Sequence, residues 1–267
     1  MNTLVEFNFL IISKIFTVPI TFVENVSNGS IYDFKTNGLT FIDGRETAPS
    51  SAKIDMFMKD DGTVMSFMEA VPSGKAVGTP GIVALYETAH KAYGLLPWSI
   101  LFEDAINLSK NGFIVSPRLA KYVDFAEKRG RLSKNPLTKT YFYPNDVKIQ
   151  SGDLLKNPEY ANTLETIAKE GSIAFYNSNI AKEIITAVNA DPHPGGMTLE
   201  DLKNYNTVLR PVICGPFRDM KICTTSPPSS GGAQIMIAGL YDQLINNKSN
   251  ELKKIITSER ASHIIPL

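Results

Sequence analysis

The sequence predicts a helix-rich α/β (α+β) protein. Three observations carry that reading. Residues 31–43, IYDFKTNGLTFID, place two strand-like runs on either side of Asn37-Gly38. Both turn residues tolerate positive φ, a strong hairpin signal. From residue 82 to 189, apolar residues recur near a 3.6-residue period between Gly and Pro punctuation. A second strand pair at 211–215 and 220–225, around Arg218-Asp219, then runs through Pro227-Pro228 into an apolar helix from Ala233 to about Asn246.

Each element has a local cause. The loop after the first hairpin, DGRETAPSS, is polar and ends on Pro49 and serines. Residues 52–58 read as a short strand or helix, and 72–81 as a Gly/Pro-rich connection. Ile82, Leu85, Ala89 and Tyr93 define one apolar helix face, which Gly94 ends. Pro97 opens the next helix, to about Lys110, stopped by Asn111-Gly112. Ser116 caps a third, with Pro117 at its first turn. Residues 140–155 read as irregular or short strands, followed by helices at about 158–170 and 178–189. Thr198-Leu199-Glu200-Asp201 resembles a capping box for a short helix to Tyr205. A last amphipathic helix is expected around 250–262. In the second hairpin Cys214 falls opposite Cys223, which permits a cross-strand disulfide. Two reduced, buried thiols packing as small hydrophobes are the expected state.

Composition bounds the function. In 267 residues, 43% apolar and 20% charged residues describe a globular chain. Lys+Arg and Asp+Glu both number 27, so no global charge draws the chain to nucleic acid or anionic membrane. Three histidines, at 90, 193 and 263, and two cysteines without CxxC spacing imply no metal centre. No cofactor motif is present. No apolar run reaches the roughly 18 residues of a membrane span. The N-terminal apolar stretch (NFLIIS, then IFTVPITFV) has Glu6 before it and Val23-Glu24-Asn25-Val26 after it. That does not fit a signal peptide, and a hydrophobic strand or arm over 1–29 is expected, leaving 30–267 as the domain. The basic cluster Arg118, Lys121, Lys128, Arg129, Arg131, Lys134 and Lys139 reads as a solvated helix face without interleaved aromatics.

Motif chemistry is sparse. No GxSxG, HExxH or P-loop occurs. Ser229-Ser230 beside two glycines lacks a base in sequence and reads as a rigid turn from strand to helix. The DGRETAP loop is more informative. Arg45 held there could grip a carboxylate with its two-pronged guanidinium, and Glu46 could orient it or hold a substrate amine. The alternative is a local Arg45–Glu46 surface pair, worth under about 1 kcal/mol.

DGRETAP (43–49) after its hairpin resembles the γ-glutamyltranspeptidase family. So do GTPGIVALYETAHKAYGLLPW (78–98), NGFIVS (111–116), GSIAFYNSNIAKEI (171–184), MTLEDLKNY (197–205) and PPSSGG (227–232), in the family's order. The likeness covers roughly residues 28–246. It implies an N-terminal-nucleophile hydrolase with an αββα sandwich, of which this would be an incomplete, large-subunit part. It implies a precursor that cuts itself, exposing a threonine that attacks the γ-glutamyl amide of glutathione or related compounds, with its own amine as base. It gives Arg45 the substrate's α-carboxylate. It places the nucleophile in a TTHxS-type motif, beyond Leu267, so no catalytic residue is expected in this chain. Thr224-Thr225 precedes PPSSGG and is not that pair.

Several expectations follow from the resemblance. Residues 1–267 are expected to be a γ-glutamyltranspeptidase-like protein, inactive alone, whose family substrate is glutathione or a similar γ-glutamyl compound. The alternatives are a non-catalytic remnant, a glutamate/carboxylate-binding module, or a large subunit that needs a separately encoded small subunit; the atypical N-terminus and abrupt C-terminus favour the remnant over a split enzyme. The absent half of the sandwich should leave an apolar face exposed. No cofactor is expected. Family members are usually exported, which this N-terminus does not itself signal.

Overall fold

Asn37 takes a φ of 53° and turns the chain between two strands. Its short polar side chain tolerates this left-handed value, whereas Gly38, expected to share the turn, takes no positive φ and already pairs with Asp33. The computed structural model describes residues 20–25, 28–33, 36–128, 132–190 and 192–246. Its strands are β1 (Ile20–Asn25), β2 (Asn28–Asp33), β3 (Gly38–Asp43), β4 (Phe113–Ile114), β5 (Leu154–Leu155), β6 (Val208–Arg210), β7 (Val212–Phe217) and β8 (Met220–Thr225). Among the described residues they form an antiparallel sheet in the order β1-β2-β3-β6 and two small pairs, β4-β5 and β7-β8. The strand expected near the N-terminus is thus β1, zipped onto β2.

Helix boundaries follow their caps. α1 (Phe67–Ala70) carries a reciprocal capping box between Ser66 and Glu69. α2 (Ile82–Tyr93) buries Leu85 and Ala89 of the predicted stripe together with Tyr86, while Ile82 and Tyr93 are partly buried. A 3₁₀ turn, Trp98–Phe102, leads into α3 (Glu103–Asn111), which ends at Gly112. α4 (Pro117–Lys128) starts where the Ser116 hydroxyl accepts the Leu119 N–H at 3.1 Å. α5 (Pro136–Phe142) follows Asn135, whose side chain accepts from Leu137 and Thr138. α6 (Pro158–Glu170), α7 (Ser172–Asn177) and α8 (Asn179–Val188) come next. α9 (Leu199–Lys203) has the expected capping box between Thr198 and Asp201, and α10 (Gly231–Asn246) follows the PPSS turn.

The main core lies between sheet and helices. Ile31 and Ile42 meet Leu85, Tyr86 and Ala89 of α2, with Leu101, Ala105, Leu164 and Ile167 behind them. Each large buried side chain contributes about 1.5–3 kcal/mol by leaving water. Phe41 is also fully buried, so β3 is covered on both faces at this point, and the β7–β8 hairpin lies against β2 and β3. A second cluster, Tyr176, Ala181, Val188, Met197 and Leu202, joins α7, α8 and α9.

Several expectations need correction. Residues 52–58 form successive turns rather than a strand or helix, with an isolated bridge from Met58 to Val64. Within 140–155 the α5 helix ends only at Phe142; its Asn-Pro start was readable as a cap but lay inside the basic run. Cys214 and Cys223 are not reduced, buried thiols. The predicted register holds, and the two are joined as a disulfide on the outer face of the hairpin, with Cys214 exposed. The basic cluster also differs: the helical turn places Tyr122 and Phe125 beside Arg118 and Lys121, so aromatics do interleave, and Arg118 lies 5.8 Å from the Tyr122 ring centre. The helix expected over 250–262 and most of the N-terminal arm lie outside the described residues.

α10 packs on β7 and β8, yet Met236, Ile237 and Leu240 remain 68, 64 and 58% exposed. An apolar patch of this kind binds dye and promotes association. Residues 1–267 are therefore expected to enhance ANS fluorescence and to elute above monomer size. Ile237→Glu with Leu240→Glu should reduce both without lowering Tm. A dye-silent monomer of the parent chain would contradict this exposure.

Candidate functional site

Asp43 is the last residue of β3, and its carboxylate organises the loop that follows. It is 6% exposed, accepts the Arg45 backbone N–H at 3.0 Å and takes Arg210 Nε of β6 at 2.6 Å. A buried carboxylate demands such partners, because leaving it unpaired costs several kcal/mol. The chain then passes Gly44 and reaches Arg45. Next, Thr47 pairs with Thr79 through two backbone hydrogen bonds, 2.8 and 3.2 Å, in front of α2. Ser50 N–H donates to Asp201 Oδ1 of α9 at 2.8 Å.

Arg45 is held at both its backbone and its side chain. The Tyr205 hydroxyl donates to the Arg45 carbonyl oxygen at 2.7 Å. Nη1 donates to the Pro228 carbonyl oxygen at 2.9 Å, and Nε to Glu46 Oε1 at 3.3 Å. The fold thus brings the DGRETAP loop against PPSSGG, 183 residues away in sequence. With 44% of its side chain exposed, Arg45 presents a guanidinium to solvent from a fixed backbone. Glu46 is half exposed beside it. The surface-pair reading of Arg45 is therefore incomplete, since Pro228 supplies a second acceptor.

Two glycines make this close approach possible. A Cβ on Gly81 would fall 1.9 Å from the Tyr205 hydroxyl oxygen and 2.2 Å from the Gly44 carbonyl oxygen. A Cβ on Gly78 would fall 2.9 Å from Glu46 Cγ. Tyr205 in turn stacks on Tyr176, with ring centres 5.8 Å apart and planes within 6°. Tyr176 donates to the Pro80 carbonyl oxygen at 2.9 Å. Burial, then the charges of Asp43 and Glu46, push the Tyr205 hydroxyl up to about 12. It stays protonated and available as a donor.

The remaining sequence candidates take structural places. Ser229 and Ser230 form the turn into α10: Ser229 N–H donates to Ser226 O, and Ser230 O accepts from Gln234 N–H. His90 bonds to the Leu96 carbonyl oxygen, and His193 sits in the turn that receives the Gly74 N–H, so neither is engaged with these serines. Thr224 lies in β8 with its hydroxyl on Gln234. In the basic cluster, Lys139 pairs with Asp146 at 2.7 Å. Asp124, on the same helix as the cluster, pairs with Lys148. A cleft of about 320 Å³ opens on the side of Tyr205 and Tyr176 lined by Glu87, Lys91, Ser172 and Thr207. Its carboxylate is committed, because Glu87 receives both the N–H and the hydroxyl of Ser172. Among the described residues no group of three or more His, Cys, Asp or Glu converges as a metal site, and no helix is long and apolar enough to cross a membrane. Asp43, Tyr205, Arg210 and Pro228 were not singled out by sequence. Asp43 stood two residues from Arg45 in the same motif, whereas the other three meet it only through folding.

Residues 29–265 match the family model described as gamma-glutamyltranspeptidase. The chain is 38% identical over 203 residues to a glutathione hydrolase proenzyme of Arthroderma benhamiae, covering 76% of this chain and 33% of that protein. A glutathione hydrolase proenzyme of Bacillus subtilis is 36% identical over 203 residues, covering 76% and 34%. Among solved structures, a gamma-glutamyltranspeptidase from Pseudomonas nitroreducens complexed with L-DON superimposes with a TM-score of 0.74 at 29% identity, covering 90% of this chain and 68% of that one. The chain spans about a third of the length of the curated relatives it matches.

Two outcomes test this geometry. Gly81→Ala should displace Tyr205 or the Gly44 carbonyl and lower stability by about 1–3 kcal/mol in denaturant unfolding, the usual cost of overpacking. Burial works against ionisation of Asp201, but hydrogen bonds from Ser50 and Thr198 prevail and hold its carboxyl down at about 2. A depressed native value means its contribution is complete above the unfolded carboxyl range and disappears as pH falls from about 4 towards 2. Asp201→Asn should flatten that part of the stability–pH profile; an unchanged acid limb would contradict the assignment.

Proposed function

The chain belongs to the gamma-glutamyltranspeptidase family and carries the large-subunit portion of its N-terminal-nucleophile hydrolase fold, and we propose that residues 1–267 supply the grip on the amino-acid end of a γ-glutamyl substrate. The observation that carries this reading is Arg45, whose side chain is 44% exposed while its backbone is tied at both the N–H and the carbonyl. A guanidinium on a fixed backbone meets a planar carboxylate with two parallel hydrogen bonds. The substrate's α-carboxylate is the partner. In this reading Glu46, one residue on, accepts from the α-ammonium group.

Such a grip orients the γ-carbonyl without attacking it. In the proposed enzyme the attacking group is the hydroxyl of an N-terminal threonine on a small subunit outside these 267 residues, with its own α-amine as base. Water or an amino acid then takes the γ-glutamyl group, giving hydrolysis or transfer. The relatives' names, glutathione hydrolase proenzymes, support both the substrate class and a precursor that must be processed. Glutathione is the substrate that fits this reading.

Titration calorimetry with L-glutamate tests the grip. Arg45→Ala should weaken binding by about 10- to 100-fold, as expected for losing a charged hydrogen-bonded pair. Arg45→Lys should recover only part, because a point charge cannot match the fork. Absence of glutamate binding in the parent chain would overturn the reading. In a γ-glutamyl-anilide assay, residues 1–267 should show no turnover until a small subunit bearing an N-terminal threonine is added. Turnover by residues 1–267 alone would overturn the placement of the nucleophile.

A further inference from the structure

Tyr205 sits just beyond the short helix α9, 160 residues from Arg45, and the contact between them joins two segments that nothing in sequence connects. The DGRETAP loop is strapped to the α9 region at two points. Ser50 N–H is held by Asp201 Oδ1 at one end, and the Arg45 carbonyl is held by the Tyr205 hydroxyl at the other. Asp201 is itself fixed by the capping box, receiving the Thr198 N–H and hydroxyl at 2.8 Å each. The Tyr205 ring is fixed by its stack on Tyr176 and by the bare face of Gly81. Both backbone groups of Arg45 are therefore committed, the N–H to Asp43 and the carbonyl to Tyr205, which sets the direction in which the side chain leaves the loop.

We infer that Tyr205 is a positioning residue for Arg45: its hydroxyl fixes the Arg45 peptide so that the guanidinium is aimed before a carboxylate arrives. This rests on the reading of Arg45 as the carboxylate grip. Pre-ordering of this kind removes an entropic cost from binding. The stacked ring alone would hold the packing of α7 against α9, but it would leave the Arg45 carbonyl without its donor. The hydroxyl and the ring thus have separable roles, and Tyr205→Phe removes only the first.

Two readouts on residues 1–267 test the inference. The first is amide hydrogen exchange. In Tyr205→Phe, exchange across 44–48 should accelerate by about three- to tenfold, the effect of losing one neutral hydrogen bond, while the amides of α2 keep their protection. The second is calorimetry with L-glutamate, in which Tyr205→Phe should raise Kd by a similar factor with Tm unchanged. Unaltered exchange across 44–48 overturns the inference. So does an unaltered Kd in a parent chain that binds glutamate. Loss of protection throughout α2, with a fall in Tm, also overturns it, because Tyr205 would then be a packing residue only. If the parent chain fails to bind glutamate, the carboxylate reading of Arg45 falls, and the exchange result alone decides whether Tyr205 orders the loop.

Discussion

The Asp43 carboxylate is the interaction on which the site is built. It lies at the end of β3, where the sheet gives way to loop, and is almost entirely out of water. Burial makes its demand for partners strict. One partner comes from β6, through Arg210, and ties the sheet's last strand to its neighbour. Another is the Arg45 N–H, which bends the chain out of the strand in a defined direction. The same charge, with Glu46, helps keep the Tyr205 hydroxyl protonated. The start of the loop is therefore set by one buried carboxylate, and its later residues by the Tyr205, Thr79 and Asp201 contacts.

Packing explains why that charge can be buried at all. Ile42 and Phe41, adjacent in β3, point to opposite faces and are both excluded from solvent. α2 covers the Ile42 side, and its first residues follow directly on Thr79, which pairs with Thr47. The helix and the loop are thus two consequences of one contact between sheet and helix layer. The glycines at 78 and 81 let these backbones come within the distance that the contact needs. Glycine loses more backbone freedom on folding than other residues, but a Cβ at either position would collide with the loop or with Tyr205.

Much of this was legible in the residues. The hairpin over 31–43, the α2 stripe, the Ser116-Pro117 and Thr198–Asp201 caps and the register of Cys214 against Cys223 all depend on interactions within a few residues and are found in the structure, although the hairpin turn is longer than the expected Asn37-Gly38 pair, since Gly38 already pairs with Asp33 in β3. The ordered motifs were also enough to identify the family. What failed was environment. Whether Cys214 is buried depends on which side of the hairpin meets the rest of the protein, and local pattern does not carry that; the shared face of Arg118 and Tyr122, four residues apart on one helix, was readable in the spacing and was missed.

The site divides along the same line. Sequence by itself determined the chemistry available: an arginine and a glutamate in a proline-ended loop after a strand, the pair proposed above to take an amino acid's carboxylate and amine. Only tertiary structure decided what holds them, because Tyr205, Arg210 and Pro228 lie more than 150 residues away along the chain. Contacts at that separation are set by how the layers pack, and packing is a property of the whole chain rather than of any segment of it.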